Sequence, residues 1–132
     1  MSINFEVSEV FPAIPEKVYA AWISSKEHSK MTGSPAEVSD KAGKPFEAWD
    51  GYIQGKNLEM DPPNRILQSW RTSEFEESDK DSLLEILFES EGNGTRVTIR
   101  HSDLPAHGMQ YRQGWIDSYF IPMLAYFGGG SG

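Results

Sequence analysis

The stretch GMQYRQGWIDSYFIPMLAYF, residues 108–127, decides the fold of this chain. Its apolar residues recur at steps of three and four with polar residues between them, which is the period of an amphipathic helix. The predicted apolar face consists of Tyr111, Trp115, Ile116, Tyr119, Phe120, Met123, Leu124 and Phe127. Because no other predicted helix is long enough to cover this face, the strand-like segments upstream must cover it.

Pro122 interrupts the predicted helix. Proline has no amide proton to donate and can cost about 3 kcal/mol in a helix interior. We therefore expect a kink between Ser118 and Pro122. The kink separates a first half around Trp115 from a second half that runs from Met123 to Phe127. Any ligand site should lie against the first half.

The composition is that of one acidic domain. The chain has 132 residues, a net charge of −8 and no cysteine. This length can bury a core without disulfides. We expect a single domain over residues 1–127 and a flexible Gly/Ser tail over residues 128–132. An acidic field repels phosphate backbones, so nucleic acid is not an expected partner. No motif for a metal or cofactor is present.

The N-terminus does not have the pattern of a targeting segment. Its first ten residues alternate polar and apolar side chains and include Glu6 and Glu9, unlike a secretory signal. No apolar run reaches the roughly 18 residues that a membrane span requires. We therefore expect a monomeric cytoplasmic protein without membrane insertion.

The strongest local signal is the dipeptide Asp50-Gly51 between two strand-like segments. Both central positions of a two-residue hairpin turn favour positive φ, which Asp-Gly tolerates. We expect a hairpin with strands at Phe46–Trp49 and Tyr52–Met60.

The remaining segments are predicted to form strands and two short helices. Alternating side chains predict a first strand, Pro15 predicts the start of a helix, and prolines or glycines separate the later strands. This order predicts an α+β domain whose antiparallel sheet packs on helices. The other expected elements are strands at Ile3–Phe11, Ile66–Thr72, Ser82–Ser90 and Thr95–Ser102 and helices at Pro15–Ile23 and Lys26–Met31.

Motifs that extend over nearly the whole chain come in a characteristic order. They are Val18, Trp22, Gly43 with Phe46, Asp50-Gly51 through Gly55, Asp61-Pro62 with Arg65-Ile66, Ser69-Trp70-Arg71, Gly94-Thr95 through Ile99, and Gly114-Trp115 with Tyr119. Together they resemble the START-like, or SRPBCC, superfamily, and within it the branch of activator of heat-shock-protein-90 ATPase homologues. The resemblance implies a helix-grip fold, in which a curved antiparallel sheet wraps around a long C-terminal helix and two short helices close the cup.

Strand alternation places polar side chains on the predicted inner face. If Val97 and Ile99 point inward, His101 does so too, while Arg96, Thr98 and Arg100 point to solvent. An inward histidine can anchor a ligand or transfer a proton, because its pKa lies near neutrality. The alternative is a core histidine with hydrogen-bond partners in the protein.

Gln68 shares its predicted face with Ile66 and Trp70, and Phe88 shares one with other apolar residues. A buried amide without partners costs about 1–3 kcal/mol, so His101, water or a ligand should satisfy Gln68. The expected ligand-binding residues are Gln68, Trp70, Phe88, His101, Tyr111, Trp115 and Tyr119. The aromatic residues among them can equally be core.

Three functions are compatible with these features. The first is a module that binds a small apolar or amphipathic ligand between sheet and helix, its polar end held by His101 or Gln68. The second, implied by the resemblance, is a chaperone-binding module that uses the acidic loop from Glu74 to Asp81 and the outer sheet. The third is an aromatase- or cyclase-like enzyme that depends on His101. No catalytic residue is assigned, and His28 and His107 are expected at the surface.

Overall fold

The computed structural model describes residues 2–128 and confirms the α+β helix-grip fold. Six antiparallel strands form one curved sheet in the order β1-β6-β5-β4-β3-β2, and the C-terminal helix packs on it. No helix in residues 2–128 is long and apolar enough to cross a bilayer. The elements are β1 Ile3–Phe11, α1 Pro15–Trp22, α2 Ser25–Thr32, β2 Pro45–Ala48, β3 Ile53–Asp61, β4 Arg65–Thr72, β5 Ser82–Glu91, β6 Gly94–Leu104, α3 Gln110–Trp115, a π-helical turn Ile116–Phe120 and α4 Ile121–Gly128. Apart from Gly128, the expected tail lies outside the described residues.

The predicted hairpin joins β2 to β3. Asp50 and Gly51 have φ of 57° and 86°, and the Tyr52 amide donates to the Trp49 carbonyl at 3.1 Å, as in a two-residue turn. Trp49 also has a positive φ, 55°, which is unfavourable for a side chain with a Cβ. The ladder therefore ends one residue earlier on each strand than predicted, at Ala48 opposite the first residue of β3.

The C-terminal helix changes its hydrogen bonding where a kink was expected. The Ile121 amide donates to the Ile116 carbonyl, five residues back, so Ile116–Phe120 forms a π-helical turn that ends two residues before Pro122. One residue of the predicted apolar face is wrongly placed: Leu124 is 37% exposed. The reason is that α4 packs mainly against β1, α2 and the turn before it, and Leu124 lies on the side that faces away from them.

The sheet buries its predicted inner face. His101, Gln68 and their apolar neighbours on β4, β5 and β6 are all buried, as strand alternation predicted. Thr98 was expected in solvent and is buried as well. It lies between β1 and β5, opposite Ser8 and Leu87, so neighbouring strands cover it on both sides.

Gly55 on β3 should tolerate no side chain. A Cβ there would overlap the Ser69 carbonyl oxygen and lie 2.6 Å from Cε1 of Phe46. Gly55→Ala should therefore destabilise the fold by about 1–3 kcal/mol in denaturant unfolding, because β3 must move away from its neighbours. Gly114→Ala is the matched control, since a Cβ at that helical position meets nothing within 4 Å. The control should gain up to about 1 kcal/mol from helix propensity, and equal effects of both substitutions would contradict the prediction.

Candidate ligand cavity

A cavity of about 390 Å³ lies between the β2–β3 hairpin and the first half of the C-terminal helix. We define that first half as residues 110–120. Most of the lining is apolar and aromatic, and the cavity opens to solvent on one side. The lining residues are Trp49, Tyr52, Ile53, Trp70, Gln110, Tyr111, Gly114, Trp115, Ser118 and Tyr119.

Trp115 in the cavity wall is joined to the sheet by a chain of three hydrogen bonds. Its Nε1–H donates to Nδ1 of His101 on β6 at 3.1 Å, and Nε2 of this imidazole lies 2.8 Å from Oγ of Ser82 on β5. The Ser82 hydroxyl donates to the carbonyl of Trp70 on β4 at 2.8 Å. Because an indole nitrogen can only donate, Nδ1 is the acceptor and the proton of the neutral imidazole is on Nε2.

His101 is a neutral link inside the core. Burial lowers its pKa to about 3, and its ring packs against Trp70 and Phe5, with centroid distances of 4.4 and 5.5 Å. Both ring nitrogens have protein partners, and His101 does not line the cavity. This geometry corresponds to the core role that the sequence left open, and it gives no support to proton transfer by His101.

Tyr119, one turn after Trp115, is held by a second buried histidine. His28 Nδ1 donates to the Trp22 carbonyl at 2.8 Å, so Nε2 accepts from the Tyr119 hydroxyl at 2.9 Å. Burial lowers the pKa of His28 and raises that of Tyr119. The expectation of a surface His28 was wrong. The sequence of α2 is mostly polar, but its single buried face packs on the rings of Trp22 and Tyr119.

Tyr111 is the third aromatic residue of the helix that hydrogen-bonds to another element. The carboxylate of Glu74 lies at the mouth of the cavity. The Tyr111 hydroxyl lies 2.6 Å from Oγ1 of Thr72 at the end of β4. At the mouth, Glu74 accepts hydrogen bonds from the Tyr52 hydroxyl and, at 3.0 Å, from Nε2 of Gln110. The hairpin and α3 are thereby connected across the opening.

The structure brings together five of the seven predicted ligand-binding residues. Four of them line the cavity, and His101 lies behind Trp115. The four are Trp70, Tyr111, Trp115 and Tyr119.

Gln68 and Phe88 lie away from the cavity. The Gln68 amide was expected to find His101, water or a ligand, but it donates to Oδ1 of Asn57 on β3 at 2.9 Å. Phe88 packs edge-on against Tyr19 of α1, with 5.1 Å between centroids. Neither residue therefore contributes to the lining.

Sequence reasoning missed the hairpin side of the cavity. Trp49 and Tyr52 flank the turn and supply two of the six aromatic residues in the lining. Among residues 2–128, the indole nitrogen of Trp49 is one of two buried side-chain polar atoms without a hydrogen bond of good geometry, although its ring packs edge-on against Tyr119. Two aromatic residues beside a predicted hairpin turn were the available signal. Gly114 was missed because a helical glycine gives no apolar signal.

The fold and the cavity define a START-like helix-grip domain. The sequence model of the Activator of Hsp90 ATPase homolog 1-like proteins matches residues 12–127. The chain belongs to this family, which confirms the resemblance seen in its motifs.

Individual relatives agree with this assignment. The activator of 90 kDa heat shock protein ATPase homolog from Dictyostelium discoideum is 25% identical over 114 residues, which are 85% of this chain and 30% of that relative. This chain therefore spans less than a third of the relative's length.

Two solved structures share the fold. An HSP90 activator from Plasmodium falciparum has a TM-score of 0.82 at 24% identity over 96% of both chains. The Aha1 dimer from Colwellia psychrerythraea has a TM-score of 0.82 at 17% identity, covering 98% of this chain and 99% of its own. Since the second of these is a dimer, the monomeric state expected here stays a prediction.

The two buried histidines should make the fold sensitive to mild acid. Their folded pKa values lie below the unfolded value of 6.5, so the unfolded chain binds more protons as the pH falls. The stabilisation that His28 and His101 provide is present above the unfolded pKa of about 6.5 and is lost as the pH falls below it, for His101 down to its folded pKa of about 3. Between about pH 6 and 5, before most carboxylates titrate, each histidine should contribute up to about 1.4 kcal/mol per pH unit to the slope of unfolding free energy.

Substitutions of one buried and one exposed histidine test this prediction. His101→Asn should lower the stability at neutral pH and remove one histidine's share of the slope. His107 is exposed, as the sequence predicted, and His107→Gln should lower the stability at neutral pH much less than His101→Asn. A wild-type unfolding free energy that is flat between pH 6.5 and 5 would contradict the buried neutral state of both residues.

Proposed function

We propose that this domain binds a small, mostly apolar molecule in the cavity between the β2–β3 hairpin and the first half of the C-terminal helix. The observation that carries the proposal is the cavity itself. Its volume of about 390 Å³ falls within the range of small-molecule sites, about 300–1,000 Å³, and six of its ten lining residues are aromatic. An apolar ligand would remove this aromatic surface from water, which is favourable at about 25 cal/mol per Å².

The polar tips of the helix aromatics support an apolar ligand. Tyr111, Trp115 and Tyr119 hydrogen-bond to Thr72, His101 and His28, which are all outside the lining. A ligand does not have to supply partners for these groups. Its contacts with the wall are therefore mainly dispersion and ring packing, which suit a hydrocarbon or aromatic body.

Gly114 gives a direct test of ligand binding. It lines the cavity, and the space where its Cβ would lie is empty within 4 Å, so Gly114→Leu should fill part of the cavity without disturbing the helix. With phenylnaphthylamine as a neutral fluorescent probe, we expect the substitution to raise the Kd about tenfold or more, a change of about 1.4 kcal/mol.

The matched control adds the same side chain to the outside of the same helix. Gln113 is exposed and does not line the cavity, so Gln113→Leu should bind the probe like the wild type. Denaturant unfolding of both variants checks that they are folded. If the wild-type protein binds no apolar probe, or both variants bind as the wild type does, this function is refuted.

Family membership favours a second function, interaction with the heat-shock-protein-90 chaperone. The acidic loop, residues 74–81, offers an ordered surface for such contact. Arg71 donates from Nη1 to Oδ1 of Asp81 at 2.7 Å and to the Asp79 carbonyl at 3.1 Å, and from Nη2 to the Glu76 carbonyl at 3.0 Å. The guanidinium thus fixes the loop's backbone, while the side chains of Glu76 and Glu77 remain exposed.

On the outer face of the sheet, arginines are paired with glutamates. Glu85 accepts from Arg65 at 2.5 Å and lies 3.5 Å from Arg100, which also bonds Glu6. Because these arginines are neutralised locally by glutamates, the outer face does not offset the negative charge of the acidic loop. A basic surface on the chaperone would complement it.

A chaperone assay tests this second function. Added to the heat-shock-protein-90 chaperone of the same organism, the purified chain should form a complex and raise the ATPase rate. Reversing the charge of Glu76 and Glu77 to lysine should weaken the complex, whereas Glu16→Lys, at an exposed position of α1, should not. An unchanged ATPase rate without a detectable complex would exclude this function for the chain.

A further inference from the structure

The mouth of the cavity carries a negative charge that no lining residue balances. Glu74 is exposed and lies at the rim, where its Oε2 accepts from Tyr52 and Gln110, both of which line the cavity. None of the ten lining residues is a lysine, arginine or histidine. A carboxylate has about four acceptor positions, so these two hydrogen bonds leave it able to accept a further donor.

The walls of the cavity have the same electrostatic preference as its mouth. Aromatic rings carry negative potential on their faces and attract cations placed over them. The ring centroids of Tyr111 and Trp115 lie 5.0 and 5.9 Å from that of Trp70, which makes a compact aromatic wall. The wall therefore accepts an apolar body and favours a positive charge next to it.

The charge of Glu74 acts on the hydroxyl groups of the wall. Burial raises the pKa of Tyr52, and the hydrogen bond to Glu74 raises it further. Burial also raises the pKa of Tyr111, and the negative charge of Glu74 adds to this effect. The same potential that opposes a tyrosinate here opposes a bound anion and stabilises a bound cation. The net charge of −8 acts in the same direction over longer distances.

We propose that the ligand of this cavity is an amphipathic organic cation, whose apolar body packs among the aromatic residues and whose ammonium group lies at the mouth beside Glu74. This inference rests on the proposed ligand-binding function and specifies its ligand class. It moves the ligand's polar end from His101 or Gln68, where the sequence placed it, to the opposite side of the cavity.

Three naphthalene probes with the same body and different charge test the inference. They are naphthylmethyl-trimethylammonium, neutral ethylnaphthalene and naphthylacetate. Titrations followed by the tryptophan indole NMR signals should show the cation binding about tenfold more tightly than the neutral probe, and the anion more weakly than either. The preference for the cation should decrease as salt is added, because Glu74 is exposed.

Substitution of the carboxylate identifies the source of the preference. Glu74→Gln keeps an acceptor for Tyr52 but removes the charge, so it should bring the Kd of the cation close to that of the neutral probe and leave the latter unchanged. Glu77→Gln, at an exposed position of the same loop, is the matched control and should retain the preference.

The outcomes separate the two proposals. If the neutral probe binds and the cation binds no more tightly, or if Glu74→Gln keeps the full preference, the inference about charge is wrong and the ligand-binding function stands. If none of the three probes binds, both proposals are overturned.

Discussion

The hydrogen-bond chain from Trp115 through His101 and Ser82 to the Trp70 carbonyl is the constraint on which the rest of this structure depends. It runs from the C-terminal helix across three neighbouring strands, β6, β5 and β4. Removing any side chain in the middle would leave a buried polar atom without a partner, which costs about 1–3 kcal/mol. A charged imidazole would have no acceptor at Nδ1, where the indole donates. This hydrogen-bond chain therefore requires that the imidazole of His101 stays uncharged and buried.

The same arrangement sets the position of the helix. Tyr111, Trp115 and Tyr119 follow one another at four-residue steps, and their polar tips reach three different elements, β4, β6 and α2. Three fixed points on one face determine both the rotation and the translation of a helix. The π-helical turn follows Trp115 directly and ends two residues before Pro122, whose missing amide proton would cost an α-helical ladder one donor in any case.

Local sequence patterns predicted which face of the sheet a residue lies on, but the hydrogen-bond partner of that residue depends on the whole fold. Alternation placed His101 and Gln68 inside because a strand repeats every two residues, and this requires no knowledge of distant contacts. That Gln68 bonds Asn57, and not His101, depends on which strands are neighbours and on their register. The prediction that His28 lies at the surface was wrong for a similar reason. The mostly polar α2 gives only a weak amphipathic pattern, and His28 is buried against Tyr119, which lies 91 residues later in the chain. The left-handed backbone of Trp49, beside the correctly predicted turn, had no sequence signal.

The cavity results from the directions in which the aromatic side chains of the helix make their hydrogen bonds. Because Trp115 and Tyr119 hydrogen-bond away from the hairpin, the side of the helix that faces the hairpin offers mainly ring surface and the bare backbone at Gly114. The hydroxyl groups of Tyr111 and Tyr119 and the indole nitrogen of Trp115 cannot hold a strongly polar group deep in this space without giving up those bonds. This arrangement favours the proposed position of the ligand's polar end at the mouth, beside solvent and Glu74. The uncharged interior thus has one origin, the hydrogen-bond partners that the sheet and α2 provide for the helix.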